Sequence, residues 1–323
     1  MELFRGVNVD WLRLKWYFLA FSMIFSVAGI ISMSIHWAQI GSPVPLGVDF
    51  KGGTQVQVKF EQTPDINRIR QAVAAAGIKD ATIQSIQSEI SASSTEVLIG
   101  LPEQKDETSL DAGRQQIVDA LQTPFGKTFE VRNVSVVGPT VGRQLETKAA
   151  LATLYSMLGM LVYLWFRFQL IYGVAAVVAC FHDTLITVGA FALTGQEISL
   201  TVIAAILTLV GYSMNDTIVV FDRIRENLRL SRRESLPDVV NRSINQTLSR
   251  TVLTSGLTFL TVLSLYIFGG QVLRGFSFAL VVGILIGTYS SIAVAAPMLV
   301  AYQEWRAGQG KTAVLPAAKR ARV

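Results

Sequence analysis

Two aspartates stand inside long apolar stretches of this chain, where a charge is costly. Asp183 follows His182, and Asp216 follows Asn215. An ionisable side chain at the middle of a membrane helix costs at least about 2.5 kcal/mol on insertion scales, so such residues are candidates for ion pathways. Arg250 is the basic residue nearest the start of a later apolar stretch. A carboxylate that gains or loses an arginine partner in a dry site changes its preferred charge state, and this is the chemistry of a proton switch.

A static ion pair that only holds helices together is the competing interpretation of Asp216 and Arg250. Counted at 1.5 Å per residue, Asp183 lies about 20 Å and Asp216 about 7.5 Å from the same face of the membrane, a predicted difference in depth of about 12 Å. At that separation the two carboxyl groups do not share a proton directly, although water can connect them. His182 is interpreted first as a hydrogen-bonding residue between helices and second as a proton carrier.

Enzymatic chemistry finds little support in the sequence. One cysteine, Cys180, cannot form an intramolecular disulfide, and two histidines are too few for the known zinc sites. Gly310-Lys311-Thr312 resembles the end of a phosphate-binding loop, but Trp305 stands where the first glycine is required. We therefore expect no enzyme, no metal and no cofactor.

The composition indicates a membrane protein, with 51% apolar and only 16% charged residues against the roughly 25% charged of soluble chains. A helix needs about 20 apolar residues to cross the hydrocarbon layer. Six such spans are predicted, and the length of the first argues against a cleaved signal peptide. The spans run from Trp16 to Ile35, Ala149 to Phe166, Leu170 to Leu193, Ile198 to Phe221, Val252 to Phe268 and Phe276 to Tyr302.

Basic residues predict the orientation of these spans. The segments on the side of the termini hold 3, 1, 7 and 5 Lys and Arg, whereas the two short loops on the other side hold 0 and 1. By the positive-inside rule both termini are cytoplasmic and the long segment after the first span is exported. The predicted parts are an N-terminal segment 1–15, a first span 16–35, an exported region 36–148, a membrane bundle 149–302 with a cytoplasmic loop 222–250, and a basic tail 303–323.

The exported region has the composition of a soluble domain and two cycles of secondary structure. Alternating Val56, Val58 and Phe60 predict a strand, which a helix and a weaker strand at Thr82–Gln87 follow. The second cycle gives a strand, a helix and a last strand in which the apolar phase shifts after Val131. The order βαββαβ predicts a ferredoxin-like α+β domain.

Two further patterns concern packing. Leu228, Leu236, Val240 and related apolar residues in the segment 222–250 predict short amphipathic helices on the membrane surface, where seven arginines contact anionic lipid or, alternatively, a partner. Gly283 and Gly287 form a GxxxG pattern, interpreted as helix packing in preference to a dimer seam.

Five sequence blocks carry a family resemblance. The chain resembles the SecF family of the bacterial SecD/SecF protein-export complex over about residues 10 to 305. The blocks are Gly47-Val48-Asp49-Phe50-Lys51-Gly52-Gly53, Val137-Gly138-Pro139, Phe181-His182-Asp183, the long run from Gly211-Tyr212-Ser213-Met214-Asn215-Asp216 to Asn227, and Asn245-Gln246-Thr247-Leu248-Ser249-Arg250-Thr251.

The resemblance implies a multi-pass inner-membrane subunit of the resistance-nodulation-division class. Such a subunit works with SecD beside the SecYEG channel and uses proton flow to assist late translocation of unfolded polypeptides. The family's important carboxylate and arginine fall on Asp216 and Arg250, with Asp183 supported less directly. Gly52 and Gly53 are expected to permit positive φ and close backbone approach where the exported domain joins the membrane. The alternative is a proton-coupled exporter of small molecules or lipids built on the same architecture.

Overall fold

The computed structural model describes residues 8–78, 81–87, 95–101, 112–126, 128–168, 170–230 and 234–309. Gly310-Lys311-Thr312 and the rest of the predicted tail to residue 323 lie outside these residues, as does Leu110 of the second predicted domain helix.

A four-stranded sheet with two helices forms the predicted domain. Its elements are β1 (Gly53–Phe60), α3 (Ile66–Ala75), β2 (Thr82–Gln87), β3 (Thr95–Leu101), α4 (Ala112–Phe125) and β4 (Phe129–Val137), after the one-turn helix α2 (Val48–Lys51). The strand order is β2-β3-β1-β4, and every neighbouring pair is antiparallel. The predicted element order βαββαβ is therefore confirmed.

The core of this domain lies between the sheet and its two helices. Apolar residues that alternate along β1 and β3 are fully buried and pack against one stripe of each helix, because alternate strand residues point to the same face. In β4 the phase shift has a structural cause. Val58 pairs with Val131 but Gln57 pairs with Asn133, so Arg132 is an extra residue in a β-bulge.

Six long apolar helical segments can cross a membrane by length and composition among the described residues, which confirms the predicted number. They are α1 (Lys15–Ile40), α5 (Pro139–Arg167), α6 (Leu170–Thr194), α7 (Leu200–Leu230), α8 (Leu236–Phe268), and α9 (Gly270–Ser290) continued through a π-helical turn (Ser291–Ala295) into α10 (Ala296–Gly308). Within their most apolar windows α6, α7 and the last segment are at least half-buried, whereas α1 and α5 are mostly exposed.

Helices α1 and α5 extend beyond the apolar stretches that predicted the first two spans. Helix α1 ends at Ile40, not at Ile35, and α5 begins at Pro139, ten residues before the predicted span. Pro139 occupies the first turn of α5. Proline is favoured there because an N–H group at this position would have no acceptor within the helix, so its absence costs nothing. The predicted exported region 36–148 thus includes the first turns of a membrane helix.

The prediction of short surface helices within 222–250 is also wrong. Helix α7 continues to Leu230 and α8 begins at Leu236, so the two form a long hairpin. Leu228, Val240 and Ile244 are buried in a cluster that contains residues of both helices. Their helical spacing therefore reflects packing of α7 against α8 and the neighbouring helices, not a face turned towards lipid.

Glycines allow close helix crossings at two places. Gly29 of α1 meets Gly189 of α6 so closely that a Cβ on Gly189 would lie 2.8 Å from the Gly29 Cα. Gly283 and Gly287 of α9 both face α7, against Leu209 and Ser213 respectively. The interpretation of the GxxxG pattern as helix packing is confirmed.

Candidate functional site

Asp183 lies at the meeting point of three membrane helices. Its side chain on α6 is 1% exposed. Its Oδ2 atom accepts hydrogen bonds from Ser213 Oγ of α7 at 2.6 Å and from Ser290 Oγ of α9 at 2.7 Å. Bonds of this kind replace the water that a buried carboxyl group has lost. Asp183 and its two serine donors therefore join three helices through hydrogen bonds within a mostly apolar core.

His182 contacts the same carboxyl group. Its Nδ1 atom lies 3.0 Å from Asp183 Oδ1, within α6 itself. Its Nε2 atom is buried and has no hydrogen-bond partner among the described residues. The predicted interhelical hydrogen bond of His182 is wrong, because the ring reaches its neighbour in sequence and not another helix.

Asp216 is the second buried carboxyl group. It is 3% exposed on α7, and its Oδ2 atom accepts a hydrogen bond from Ser255 Oγ of α8 at 2.6 Å. Arg250 lies five residues before Ser255 on α8 and is exposed. Within the described part of the chain no ion pair joins Arg250 to Asp216, because no nitrogen of the arginine lies within 4.0 Å of a carboxylate oxygen.

The two carboxyl groups lie closer in depth than the sequence indicated. Asp183 bonds to Ser213, which is three residues from Asp216 on α7, and three residues span only about 4.5 Å of helix. The predicted separation of about 12 Å is wrong because it was counted from Phe221, whereas α7 extends to Leu230. Asp183 is 13 residues from the start of α6 and Asp216 is 14 from the end of α7, so both lie at a similar level.

The small and polar residues of the segment 211–215 lie on two faces of α7. Ser213 is buried against Asp183, whereas Gly211 and Asn215 are exposed on the opposite side. A Cβ on Gly211 would meet nothing within 4 Å. Asn215 therefore does not join Asp183 and Asp216 in the buried cluster of this chain.

Two serines of the site were missed from the sequence. Ser255 and Ser290 supply hydrogen bonds to Asp216 and Asp183, yet serine is common in membrane helices and most such hydroxyls bond a carbonyl of their own helix. Only a known pairing of the helices distinguishes these two. Thr251 lies one turn before Ser255, and its buried hydroxyl has no hydrogen-bond partner in the described structure.

The glycine motifs join the sheet domain to the membrane helices. Gly52 and Gly53 have φ values of 76° and 117°, which confirms the expected positive φ. Gly142 of α5 packs against the backbone of Phe50 and Gly52, as the expected close approach requires. Gly138 is the N-cap of α5 and precedes Pro139.

No group of three or more His, Cys, Asp and Glu side chains with metal-binding proximity occurs among the described residues. The chemistry available at the buried cluster is therefore that of two carboxyl groups, an imidazole and hydroxyl donors, with a guanidinium nearby. These groups accept, hold and release protons.

Comparisons with known proteins identify the family of this chain. Residues 117–305 match the family described as protein export membrane protein SecD/SecF, C-terminal, and residues 37–64 match the SecD/SecF GG motif. A protein translocase subunit SecF of Koribacter versatilis is 55% identical over 98% of this chain and 96% of its own length. Another from Desulfurispirillum indicum is 43% identical, with 92% of each chain covered.

Solved structures give the same result. The crystal structure of SecDF, a translocon-associated membrane protein from Thermus thermophilus, has a TM-score of 0.81 and 36% identity. A SecDF structure in a super-membrane-facing form has a TM-score of 0.67. The match covers 94% of this chain but only 40% of either SecDF chain. This chain belongs to the SecD/SecF family of protein export membrane proteins.

Proposed function

We propose that this chain is an accessory subunit of the Sec protein-export machinery that uses the proton gradient to assist late translocation of polypeptides. The observation that carries the proposal is the burial of Asp216 within α7. Its hydroxyl donor, Ser255, and the arginine of the proposed switch, Arg250, both lie on α8. A membrane carboxyl group in this setting is costly unless its charge state is used or neutralised.

The moving part of the proposed switch is the side chain of Arg250. It is exposed and makes no ion pair with Asp216 in the described structure, so it can approach or leave the carboxyl group without a helix shift. When the guanidinium is near, it stabilises the ionised carboxyl; when it leaves, it favours uptake of a proton. Each proton that crosses supplies about 2.3 kcal/mol per 100 mV of membrane potential.

A purely structural role for the Asp216 and Arg250 pair fits the geometry less well. A static clamp between α7 and α8 requires a formed ion pair, whereas Asp216 bonds to Ser255 and Arg250 is exposed. The hydrogen bond from Ser255 already links the two helices at this level. The arginine is then free for another task.

A second helical unit is the proposed partner of the exposed face of α7. Thr208, Gly211 and Asn215 lie at spacings of three and four residues on this face, so they line one side of the helix. Small and polar residues typically face other helices and not lipid. The SecDF chains are much longer than this chain, and we infer that SecD supplies the missing helices and the rest of the proton path.

The proposed orientation places both termini in the cytoplasm and the sheet domain in the periplasm, across the bacterial inner membrane. The N-terminal segment supports a common face for the termini and the α7–α8 hairpin, because the main-chain N–H groups of Val9 and Trp11 donate to Asn245 and Asn241 of α8. The hairpin arginines then lie near anionic lipid headgroups and the SecYEG channel, and the domain meets the emerging polypeptide.

The decisive test is export into inverted membrane vesicles with and without an imposed proton gradient. Asp216→Asn and Arg250→Met should each abolish the stimulation by the gradient and leave export without a gradient unchanged. Asp222→Asn and Arg229→Met are matched controls, since both residues are exposed on the same hairpin. Full stimulation in both site variants would refute the mechanism.

The partner is tested separately by affinity purification from native membranes. We expect SecD to co-purify with this chain, and Asn215→Leu to weaken that association more than Leu230→Asn at the exposed end of α7. Recovery of the chain without any second helical subunit would contradict the proposed seam.

A further inference from the structure

The segment between α1 and the sheet domain is attached to the turn that precedes α7. We call residues 44–52 the junction segment. The Ile198 N–H donates to the Pro45 carbonyl at 2.8 Å, and the Gly47 N–H donates to the Ile198 carbonyl at 3.0 Å. Leu46 and Ile198 thus form a short parallel bridge. Main-chain hydrogen bonds of this kind fix the relative position of the two segments.

Asp49 adds a contact to α7 itself. Its Oδ2 atom accepts a hydrogen bond from the main-chain N–H of Leu200 at 2.8 Å. Leu200 is the first residue of α7. The first N–H groups of a helix have no partner within it, and a carboxylate complements the positive end of the helix dipole. Asp49 is therefore a cap for α7 supplied from 151 residues away in the chain.

Apolar packing holds the same segment to the bundle. Phe50 is 4% exposed in a cluster that includes Val202 and Phe191. On its other side the Phe50 carbonyl lies against Gly142 of α5, where any Cβ would come within 2.6 Å of the carbonyl oxygen. The junction segment is thus held between α5, α6 and α7.

Two glycines with positive φ form the boundary between the junction segment, which ends at Gly52, and the sheet. Gly52 and Gly53 have positive φ, and Gly53 is the first residue of β1. These glycines therefore separate the residues that are held to the membrane helices, Asp49 among them, from the first strand of the sheet. Asp216 lies 16 residues after Leu200 in the same unbroken helix, a distance of about 24 Å along the helix axis.

We propose that Asp49 is a positioning residue, which fixes the start of α7, and through this helix Asp216, to the base of the sheet domain. The inference rests on the proposed function, because the linkage has work to do only if events at Asp216 drive the domain. Without the contact, only the main-chain bonds of Ile198 and the packing of Phe50 hold the start of α7 to the junction segment, so the two are coupled less firmly. The domain then receives less of any displacement that begins at Asp216.

The first experiment measures the cap directly by hydrogen exchange of the full chain in lipid nanodiscs. Asp49→Ala should speed exchange in the first turn of α7 by about fivefold, the effect of losing a helix cap. Asp49→Asn keeps an acceptor oxygen and should change exchange less. Asp65→Ala is the matched control, because Asp65 caps α3 within the sheet domain and is remote from α7. Unchanged exchange in Asp49→Ala would overturn the assignment of the cap.

The second experiment asks whether position is the role of Asp49. In a Cys180→Ala background, Leu46→Cys and Ile198→Cys place two cysteines at the bridge, where neighbouring strands are about 4.8 Å apart and a disulfide fits. Gradient-stimulated export should fall in Asp49→Ala and return when the disulfide forms. If the carboxylate had a chemical role, which the proposal excludes, the disulfide would not restore export. The oxidised double-cysteine chain that carries Asp49→Ala would then be as impaired as Asp49→Ala alone.

These outcomes separate the two proposals. If the unaltered chain shows no gradient-stimulated export, the proposed function fails, and the exchange experiment still decides whether Asp49 caps α7. If stimulation is present but insensitive to Asp49→Ala, the positioning role fails and the proposed function stands.

Discussion

Removal of the hydroxyl groups around Asp183 tests the hydrogen bonds that join α6, α7 and α9 at this residue. Ser213→Ala and Ser290→Ala each delete one donor to Asp183 Oδ2 and add no bulk. Both serines are fully or almost fully buried, so solvent does not replace the lost bond. We expect each variant to lower the free energy of unfolding because a buried acceptor loses a partner.

The magnitude follows from the kind of bond. Hydrogen bonds between membrane helices average about 0.6 kcal/mol in double-mutant cycles, with a maximum of about 1.7 kcal/mol. Both bonds to Asp183 are short, at 2.6 and 2.7 Å, and end on the same oxygen. We therefore expect coupling near the upper end for each, and about 2–3 kcal/mol for the pair.

The assay is a double-mutant cycle with Asp183→Ala, in which unfolding is followed in mixed detergent micelles. Each serine substitution should cost less in the Asp183→Ala background than in the unaltered chain. Ser277→Ala is the matched control, since Ser277 is buried on α9 but its hydroxyl bonds to the Leu273 carbonyl of its own helix. If both serines showed coupling energies within error of the Ser277 value, the hydrogen bonds to Asp183 would not join the three helices as described.

Two further predictions concern the ends of the bundle. Burial raises the pKa of Glu197, against the lowering effect of Lys51 and with an added rise from Asp49. The folded chain thus keeps this proton to a higher pH than the unfolded chain, so its stabilising contribution is complete below about pH 4.3 and is lost as the pH rises through the folded pKa. Glu197→Gln should raise the Tm at neutral pH and flatten this decline; an unchanged pH profile of Tm would contradict the burial effect. Asn245→Ala removes two hydrogen bonds to the main chain of Val9, at a cost of about 1–3 kcal/mol. Hydrogen exchange should then accelerate in the segment before α1, and unchanged exchange would mean that side-chain packing alone holds it.

The number of membrane spans and the two buried aspartates could be predicted from the sequence, because both depend on the cost of placing a charged residue in an apolar stretch. A charge inside an apolar stretch is conspicuous without a structure, so Asp183 and Asp216 could be selected directly. Strand alternation and helix spacing likewise gave the order of elements in the sheet domain. Even the bulge at Arg132 was visible as a shift of apolar phase.

The partners of these carboxyl groups were not accessible, because they depend on which helices are neighbours. Ser255 is 39 residues from Asp216, and Ser290 is 107 residues from Asp183. The error in the predicted difference in depth between Asp183 and Asp216 has a related origin. Apolar composition indicates where a helix lies in the membrane but not where the helix ends. Helix α7 continues into polar sequence because Asn227 and Leu228 are buried against its neighbours.

The contacts at the far end of α7 limit how the proposed switch can move. Asn227 Nδ2 donates to Ser243 Oγ and to Gln246 Oε1, and Arg223 Nε donates to the same Gln246 oxygen. A slide of α8 along α7 would break these three bonds, at a cost of about 0.5–1.5 kcal/mol each. The total of about 1.5–4.5 kcal/mol is comparable with the energy of one proton at 100 mV, about 2.3 kcal/mol. Sliding would therefore consume the energy that it was meant to transmit. We therefore expect the two helices to move as one body, and the displacement proposed for Asp216 to lie between this body and the helices on its exposed side.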